Sequence, residues 1–380
     1  MKNLKFKYLF LLPLLFFGNM YAQERYEFTD IVRLEATEVK NQQQTGTCWS
    51  FSAASYIESE AIKKGMPLLD LSEMFVARNI YIEKALNYIR RQGSTQFGEG
   101  ALGNDFLLAA SKYGLVPEWV FPAKEGDEAF DHRELSVLLK SYLDGVIKNP
   151  AGKLSKNWLP GYIGILDAYM GVVPETFEFE GNNYTPKSFA IDVVKFDIDD
   201  YLYISSFTHE SLYQKFVLQV PDNFSSASYY NVTMDDLINT INNALDNGYT
   251  VDWDADVSEK GFSGRKGVAI VPEIDWSDKS ADEKDSTLIV PETEKEISVE
   301  MRQNQYDSYQ TTDDHLMHLI GYANDKNGKL FYIVKNSWGS DNMDQDGFVY
   351  VSSSYVKLKT ISIIVNKKGV SKDLKKKLGL

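Results

Sequence analysis

The chain has 380 residues, 43% of them hydrophobic, with 54 acidic against 40 basic side chains and a formal charge of −14. That acidic balance argues against nucleic acid and anionic membrane surfaces as partners, while the hydrophobic fraction suffices for one large core or two fused lobes. A single cysteine, Cys48, excludes any intramolecular disulfide, so packing must carry the stability.

Residues Met1 to about Ala22 read as a secretory signal, with Lys2, Lys5 and Lys7 as a basic start and Tyr8 to Gly18 as an apolar core too short to cross a bilayer as a helix. Met20-Tyr21-Ala22 is an imperfect cleavage site, and no cysteine follows it for lipid attachment. A secreted or periplasmic protein without a stable membrane anchor is expected.

Next comes Asn41-Gln42-Gln43-Gln44-Thr45-Gly46-Thr47-Cys48, running into a helix on which Trp49, Ala53, Ile57 and Ala61 recur at helical spacing before Lys63, Lys64 and Gly65 end it. Cys48 thereby falls in the first turn, where unpaired N–H groups and the positive end of the helix dipole favour a thiolate. Gly46 lets the chain turn without a side chain over the sulfur. Alone, the cysteine would read as a small buried hydrophobe. With Gln42 six residues upstream, however, the Gln42 amide and the Cys48 N–H can form an oxyanion hole.

Leu71 to Gln92 reads as a second helix, closed by Gly93. Phe97-Gly98-Glu99-Gly100-Ala101 is a glycine-rich turn into a third helix that carries Phe106, Leu107 and Ala110 and stops at Gly114. The turn is either an ordinary loop or a place where a substrate backbone approaches closely at Gly100 and Ala101. From Ala123 to about Lys187 runs a long, mostly helical insertion, with Leu135, Leu138, Leu139 and Tyr142 on one stripe and a second helix from Tyr162 to Met170. Within it His132, between Asp131 and Arg133, reads as a solvated surface histidine. Thr233 caps a helix carrying Leu237, Ile238, Ile241 and Leu245 that leads into a strand, Tyr249 to Trp253. The acidic run Pro272 to Glu300 reads as a surface loop or flap, and its spacing matches no calcium-binding loop.

The remaining chain switches to β patterning: Leu316 to Ala323, Leu330 to Val334, Phe348 to Ser352 and Thr360 to Val365 are predicted strands, the first two joined by Asn327-Gly328. The fold class is therefore α+β, with a helical N-terminal lobe at 23–122, a helical insertion at 123–187, and an antiparallel β lobe with a basic tail at 188–380. A thiolate needs a base that holds its proton, and histidine suits that. His315 and His318 point to opposite faces of the first predicted strand, so only one of them can meet Cys48. Asn336, in Val334-Lys335-Asn336-Ser337-Trp338-Gly339, can accept the second N–H of an imidazole and fix its tautomer, with Trp338 shielding that bond.

The string Asn-Gln-x-x-x-Gly-x-Cys-Trp-x-Phe, the segment Asn336-Ser337-Trp338-Gly339 followed by Gly347-Phe348-Val349-Tyr350, and the chain order Gln, Cys, His, Asn together resemble the papain-like cysteine peptidases. Tyr113-Gly114-Leu115-Val116-Pro117 with Phe121-Pro122, the pair Asp256-Val257 after Trp253, and the long insertion resemble the bleomycin hydrolase and aminopeptidase C branch. The resemblance implies a papain-like two-lobe fold and a peptidase in which Cys48 attacks the scissile carbonyl and His315, six residues before Gly321 as in that family, shuttles the proton. It also implies that Asn336 orients His315, that Gln42 with the Cys48 N–H binds the oxyanion, and that water resolves the acyl-enzyme. Peptides are the implied substrates, with no cofactor and no metal; a homo-oligomer is left open. The family pattern has a second glycine where this chain has Ala101. In that branch the C-terminal carboxylate blocks one end of the cleft, so that substrates present a free amine. Here Asn366 to Leu380 is a basic stretch that either reaches the cleft or forms a terminal helix away from it. The expectation is an aminopeptidase, set against an endopeptidase with an open cleft, an acyl transferase with an amine acceptor, and a catalytically silent binding module on the same fold.

Overall fold

The computed structural model describes residues 25–380 apart from 67, 125 and 127; the expected signal segment lies outside the described residues. In chain order, β1 (Phe28–Arg33) precedes α1 (Cys48–Lys63), α2 (Glu73–Arg90) and α3 (Gly103–Tyr113). The insertion supplies α4 (Arg133–Ile147), α5 (Trp158–Met170), the hairpin of β2 (Phe177–Phe179) and β3 (Asn182–Tyr184), and α6 (Pro186–Asp192). There follow β4 (Tyr201–Ser205), β5 (Lys215–Val217), β6 (Ser228–Asn231), α7 (Met234–Asp246), β7 (Val251–Ala255), β8 (Phe262–Ser263), β9 (Val268–Ala269), α8 (Ala281–Ser286) and α9 (Val299–Asp307). Last come β10 (His315–Asp325), β11 (Leu330–Lys335), β12 (Phe348–Ser352), α10 (Ser353–Lys359), β13 (Thr360–Asn366) and α11 (Lys372–Lys377).

α1 runs through the middle of the molecule, with every residue from Trp49 to Ala61 buried. Its small side chains, Ser50, Ser52, Ala53, Ala54 and Ser55, let neighbours close on it from all sides, as expected of a helix without a solvent face. On one side lie α2 and α3, and on the other lies β10. Leu316 of β10 joins the core shared with Trp49, Tyr56 and Phe106, whereas Met317 and Leu319 join a second core with Trp253 and with Leu237 and Ile241 of α7. Strand alternation thus puts adjacent β10 residues into two different cores.

The sheet order is β5-β6-β4-β13-β7-β10-β11-β12-β9-β8, with β1 added to β10. Its pairs are antiparallel except β4 with β6 and β9 with β12, so the expected antiparallel lobe is mixed towards both edges. β1 pairs Phe28 through Arg33 with Asp325 through Gly321, and so belongs to the sheet of the C-terminal lobe despite its place in the chain. The Asn327-Gly328 turn connects β10 to β11, with Gly328 at φ +80° as the turn requires. The insertion is less helical than expected, because β2 and β3 close it as a hairpin.

The tail docks. Leu374 and Leu378 are buried in the core that holds α7, and the Lys377 Nζ lies 3.2 Å from Asp236 of that helix. Where the tail begins, Asn366 Nδ2 donates to Glu60 Oε2 at 2.6 Å. Glu60 lies roughly 18 Å along α1 from Cys48, at a rise of about 1.5 Å per residue. The tail is accordingly a terminal helix that runs back along α7, from Asn243 to Asp236, in the second core and not in the one that holds α1. No helix among the described residues is long and apolar enough to cross a membrane.

Candidate active site

Cys48 opens α1, and its N-cap residue, Thr47, makes no side-chain cap bond. In the first turn the Ser50 N–H donates to Thr47 O at 2.8 Å, whereas the Cys48 and Trp49 N–H groups have no helix carbonyl four residues back to bond. The chain before α1 is tied to the loop after β11: Gln42 N–H donates to Ser337 O at 2.9 Å and Gly339 N–H to Lys40 O at 3.0 Å. This pairing carries Gln42 to Asn336 and its neighbours. Ser337 Oγ donates to Gln42 Oε1 at 2.7 Å and Gln42 Nε2 donates to Thr45 O at 2.7 Å, which fixes the amide plane and leaves one Nε2 hydrogen uncommitted. Ser337 was not a candidate from sequence, though its hydroxyl lies in the same short motif as Asn336.

His315 starts β10 and is 4% exposed. Its Nε2 lies 2.7 Å from Asn336 Oδ1, which also accepts the Ser337 N–H at 2.8 Å. With Nε2 committed as donor to an amide oxygen, Nδ1 is the nitrogen left for proton transfer. Trp338 stacks on the imidazole with centroids 4.7 Å apart. Trp338 is itself seated by Gly264, where a Cβ would come within 2.6 Å of the indole; sequence reading had no signal for that glycine. The Cys48 thiol meets the backbone N–H of Leu316, the residue after His315, and that of Trp49.

Cys48 is only part-buried, yet the surrounding protein pushes its thiol up to about 12, and the Leu316 and Trp49 N–H groups pull it only part of the way back. The favourable helix end expected from sequence is present, but desolvation outweighs it. Burial also lowers His315, with the Asn336 bond and the Asp314 charge opposing. Each group alone is therefore held neutral, and a thiolate–imidazolium pair depends on their mutual charge.

His318 faces the other way. Ser55 Oγ of α1 lies 2.8 Å from its Nδ1, and Lys335 Nζ donates to the same hydroxyl at 2.8 Å. Burial, then the Lys335 charge, holds His318 well below the usual histidine range. His132 is also internal, which corrects the surface reading: it is 5% exposed, Tyr81 OH lies 3.0 Å from its Nδ1, and its backbone N–H donates to Gln44 O at 3.1 Å. Pairing of Gln44 with Asp131 draws that segment in beside the residues ahead of Cys48.

The glycine-rich turn is clamped to the same segment. Trp49 Nε1 donates to Glu99 O at 3.0 Å, Gly46 N–H donates to Glu99 Oε2 at 2.6 Å, and Lys84 donates to Gly100 O. Gly100 has its Cα against the Asp222 carboxylate, where a Cβ would collide. Ala101 is 1% exposed, and its side chain joins the core. The structure thus gathers Gln42, Cys48, His315, Asn336 and Trp338 at one end of α1, with Gly100 beside them.

The chain matches the peptidase C1-like family over residues 164–379 and the papain family of cysteine proteases over residues 26–77. It is 24% identical to aminopeptidase G of Lactobacillus delbrueckii subsp. lactis, over 90% of this chain and 83% of that one. It is also 24% identical to aminopeptidase C of Listeria monocytogenes, over 89% of this chain and 82% of that one. The crystal structure of PepW from Lactobacillus rhamnosis has the same fold, with a TM-score of 0.71 at 20% identity, covering 92% of this chain and 84% of that one.

Proposed function

The chain is a cysteine peptidase that belongs to the peptidase C1-like family, and from that premise we propose that it is an exported aminopeptidase working through Cys48, His315 and Asn336. The observation that carries the reading is the 2.7 Å contact of His315 Nε2 with Asn336 Oδ1 under the Trp338 ring, with the neighbouring Leu316 N–H on the Cys48 thiol. Cys48 Sγ attacks the scissile carbonyl carbon while its proton passes to His315 Nδ1, and the carbonyl oxygen becomes an oxyanion facing the Cys48 N–H and the Gln42 amide. His315 then gives that proton to the departing amine. Water, deprotonated by His315, attacks the thioester and frees the thiol.

Aminopeptidase action is supported by similarity to aminopeptidases G and C across nearly the whole chain. Export is supported by the basic and apolar pattern of residues 1–22. Incubating the protein with a defined peptide and sequencing the products over time should show residues released singly from the N-terminus; internal fragments appearing first would refute the aminopeptidase reading. Cell fractionation with N-terminal sequencing tests export, and an intact Met1 on protein in the cytoplasm would refute it.

A further inference from the structure

An enzyme that requires a free α-amine needs an anion near the reacting sulfur, and the C-terminal tail is held along α7 in the core that does not include α1. Carboxylates stand near the sulfur instead, Asp313 on the β10 side and Asp222 on the Gly100 side. Asp313 lies two residues before His315. Its neighbour Asp314 is turned away, accepting the Val257 N–H at 2.8 Å and the Ser258 N–H at 3.3 Å, while the Thr312 N–H donates to Asp256 at 2.9 Å. That pinning turns Asp313 inwards against Asp254. Asp254 is 2% exposed and pairs across the β7–β10 register with Leu316, the residue whose N–H meets the Cys48 thiol. Ser362 donates to Asp254 Oδ2 at 3.0 Å, but Asp254 Oδ1 and Asp313 Oδ2 are buried with no protein donor among the described residues. Two carboxyl oxygens so placed either hold one proton between them or accept from a cation that enters.

On the Gly100 side stands Asp222, whose Oδ1 accepts from Gln96 at 3.0 Å. The nearby cation, Lys84, is 3% exposed and donates to Gly100 O. Asp313 and Asp222 both act on the Cys48 thiol through space, so both lie within electrostatic reach of the reacting atoms. No group of three His, Cys, Asp or Glu among the described residues is placed to hold a metal ion. An ammonium, with N–H donors to offer each carboxylate, is the cation that suits the site.

We propose that Asp313, facing Asp254, and Asp222 on the Gly100 side bind the α-ammonium of the first residue of the peptide, so that these carboxylates select a free N-terminus; this rests on the aminopeptidase reading above. Burial and the neighbouring acids raise Asp313 to about 7, and an arriving cation favours its ionised form. The test compares one peptide with its N-acetyl form and with an N-acetyl peptide carrying Lys one residue before the cleaved one. Wild type should lose roughly a hundredfold in kcat/KM on acetylation, the scale of a charge-assisted contact. In Asp313→Asn and Asp222→Asn, KM for the free peptide should rise roughly tenfold or more, and the acetylation penalty should shrink. A wild-type thermal unfolding transition identifies folded variants, and Asp222→Ser gives a second substitution on the loop. A penalty unchanged in folded variants overturns the inference while leaving the aminopeptidase reading standing, and so does a wild-type preference for the blocked peptide with Lys. Equal cleavage of free and blocked peptides by wild type overturns both.

Discussion

The His315 ring lies under Trp338, whereas the His318 ring lies against Ser55 of α1 with its Nε2 buried and unpartnered. The two therefore answer differently to deletion. His315→Ala should lower kcat by about three orders of magnitude, as removal of a base and its oriented proton does. His318→Ala should lower the melting temperature and leave kcat within a few-fold, and the opposite pattern would assign the base to the wrong histidine. The pH profile of alkylation tests their charges directly. Desolvation raises Cys48 to about 12 and lowers His315, so a lone thiol here would react with iodoacetamide only in alkaline solution. Wild type should still react near about pH 6 because the pair shares its proton, and His315→Ala should move the profile alkaline by several units. Identical profiles would remove His315 from the pair. The sequence makes the contact of His315 with Asn336 legible because each sits in a short motif. It could not show that His132 and Ala101 are buried, since that depends on Gln44 and on α3, segments distant in the chain or packed only in three dimensions.

At the scale of elements, sequence patterns were most readable where local chemistry closes the element. Thr233 accepts the Asp236 N–H at 3.0 Å at the start of α7, and Asn327-Gly328 turns β10 into β11. β4 and β6 escaped notice because the first is buried along nearly its whole length, without alternation, and the second is only four residues long. β7 shows a cost of burying an element on both faces. Its Asp252 is 1% exposed, accepts a hydrogen bond from Ser52 of α1, and is raised by burial from 3.8 to about 7. A carboxyl raised on folding contributes stability below its unfolded pKa and loses it as pH rises through the folded one, here from about pH 4 to about pH 7. Wild type should lose on the order of 4 kcal/mol from this group between those limits, and Asp252→Asn should flatten that part of the curve. Urea midpoints for both proteins at about pH 5 and about pH 8 decide it; parallel falls would mean that Asp252 is already ionised in the fold.

At the scale of the whole molecule, the lobes are interleaved more than chain order suggests. β1 crosses to the sheet, and the Lys40 to Gln42 segment is tied to Ser337 and Gly339, so Cys48, His315 and Asn336 meet where the two lobes are stitched together. The tail has no part in that meeting. It leaves β13 at Asn366, beside Glu60, and runs back along α7, burying Leu374 and Leu378 in the core that does not include α1. Removing residues 372–380 should therefore cost stability without changing selectivity. Burial of two leucines stabilises by about 2–3 kcal/mol each, so the truncated chain should melt several degrees lower. The ratio of rates on free and N-acetylated peptides should stay at the wild-type value. A truncated enzyme that cleaved the blocked peptide many-fold faster would show that the terminus visits the groove, and that its carboxylate, not Asp313 and Asp222, reads the α-amine.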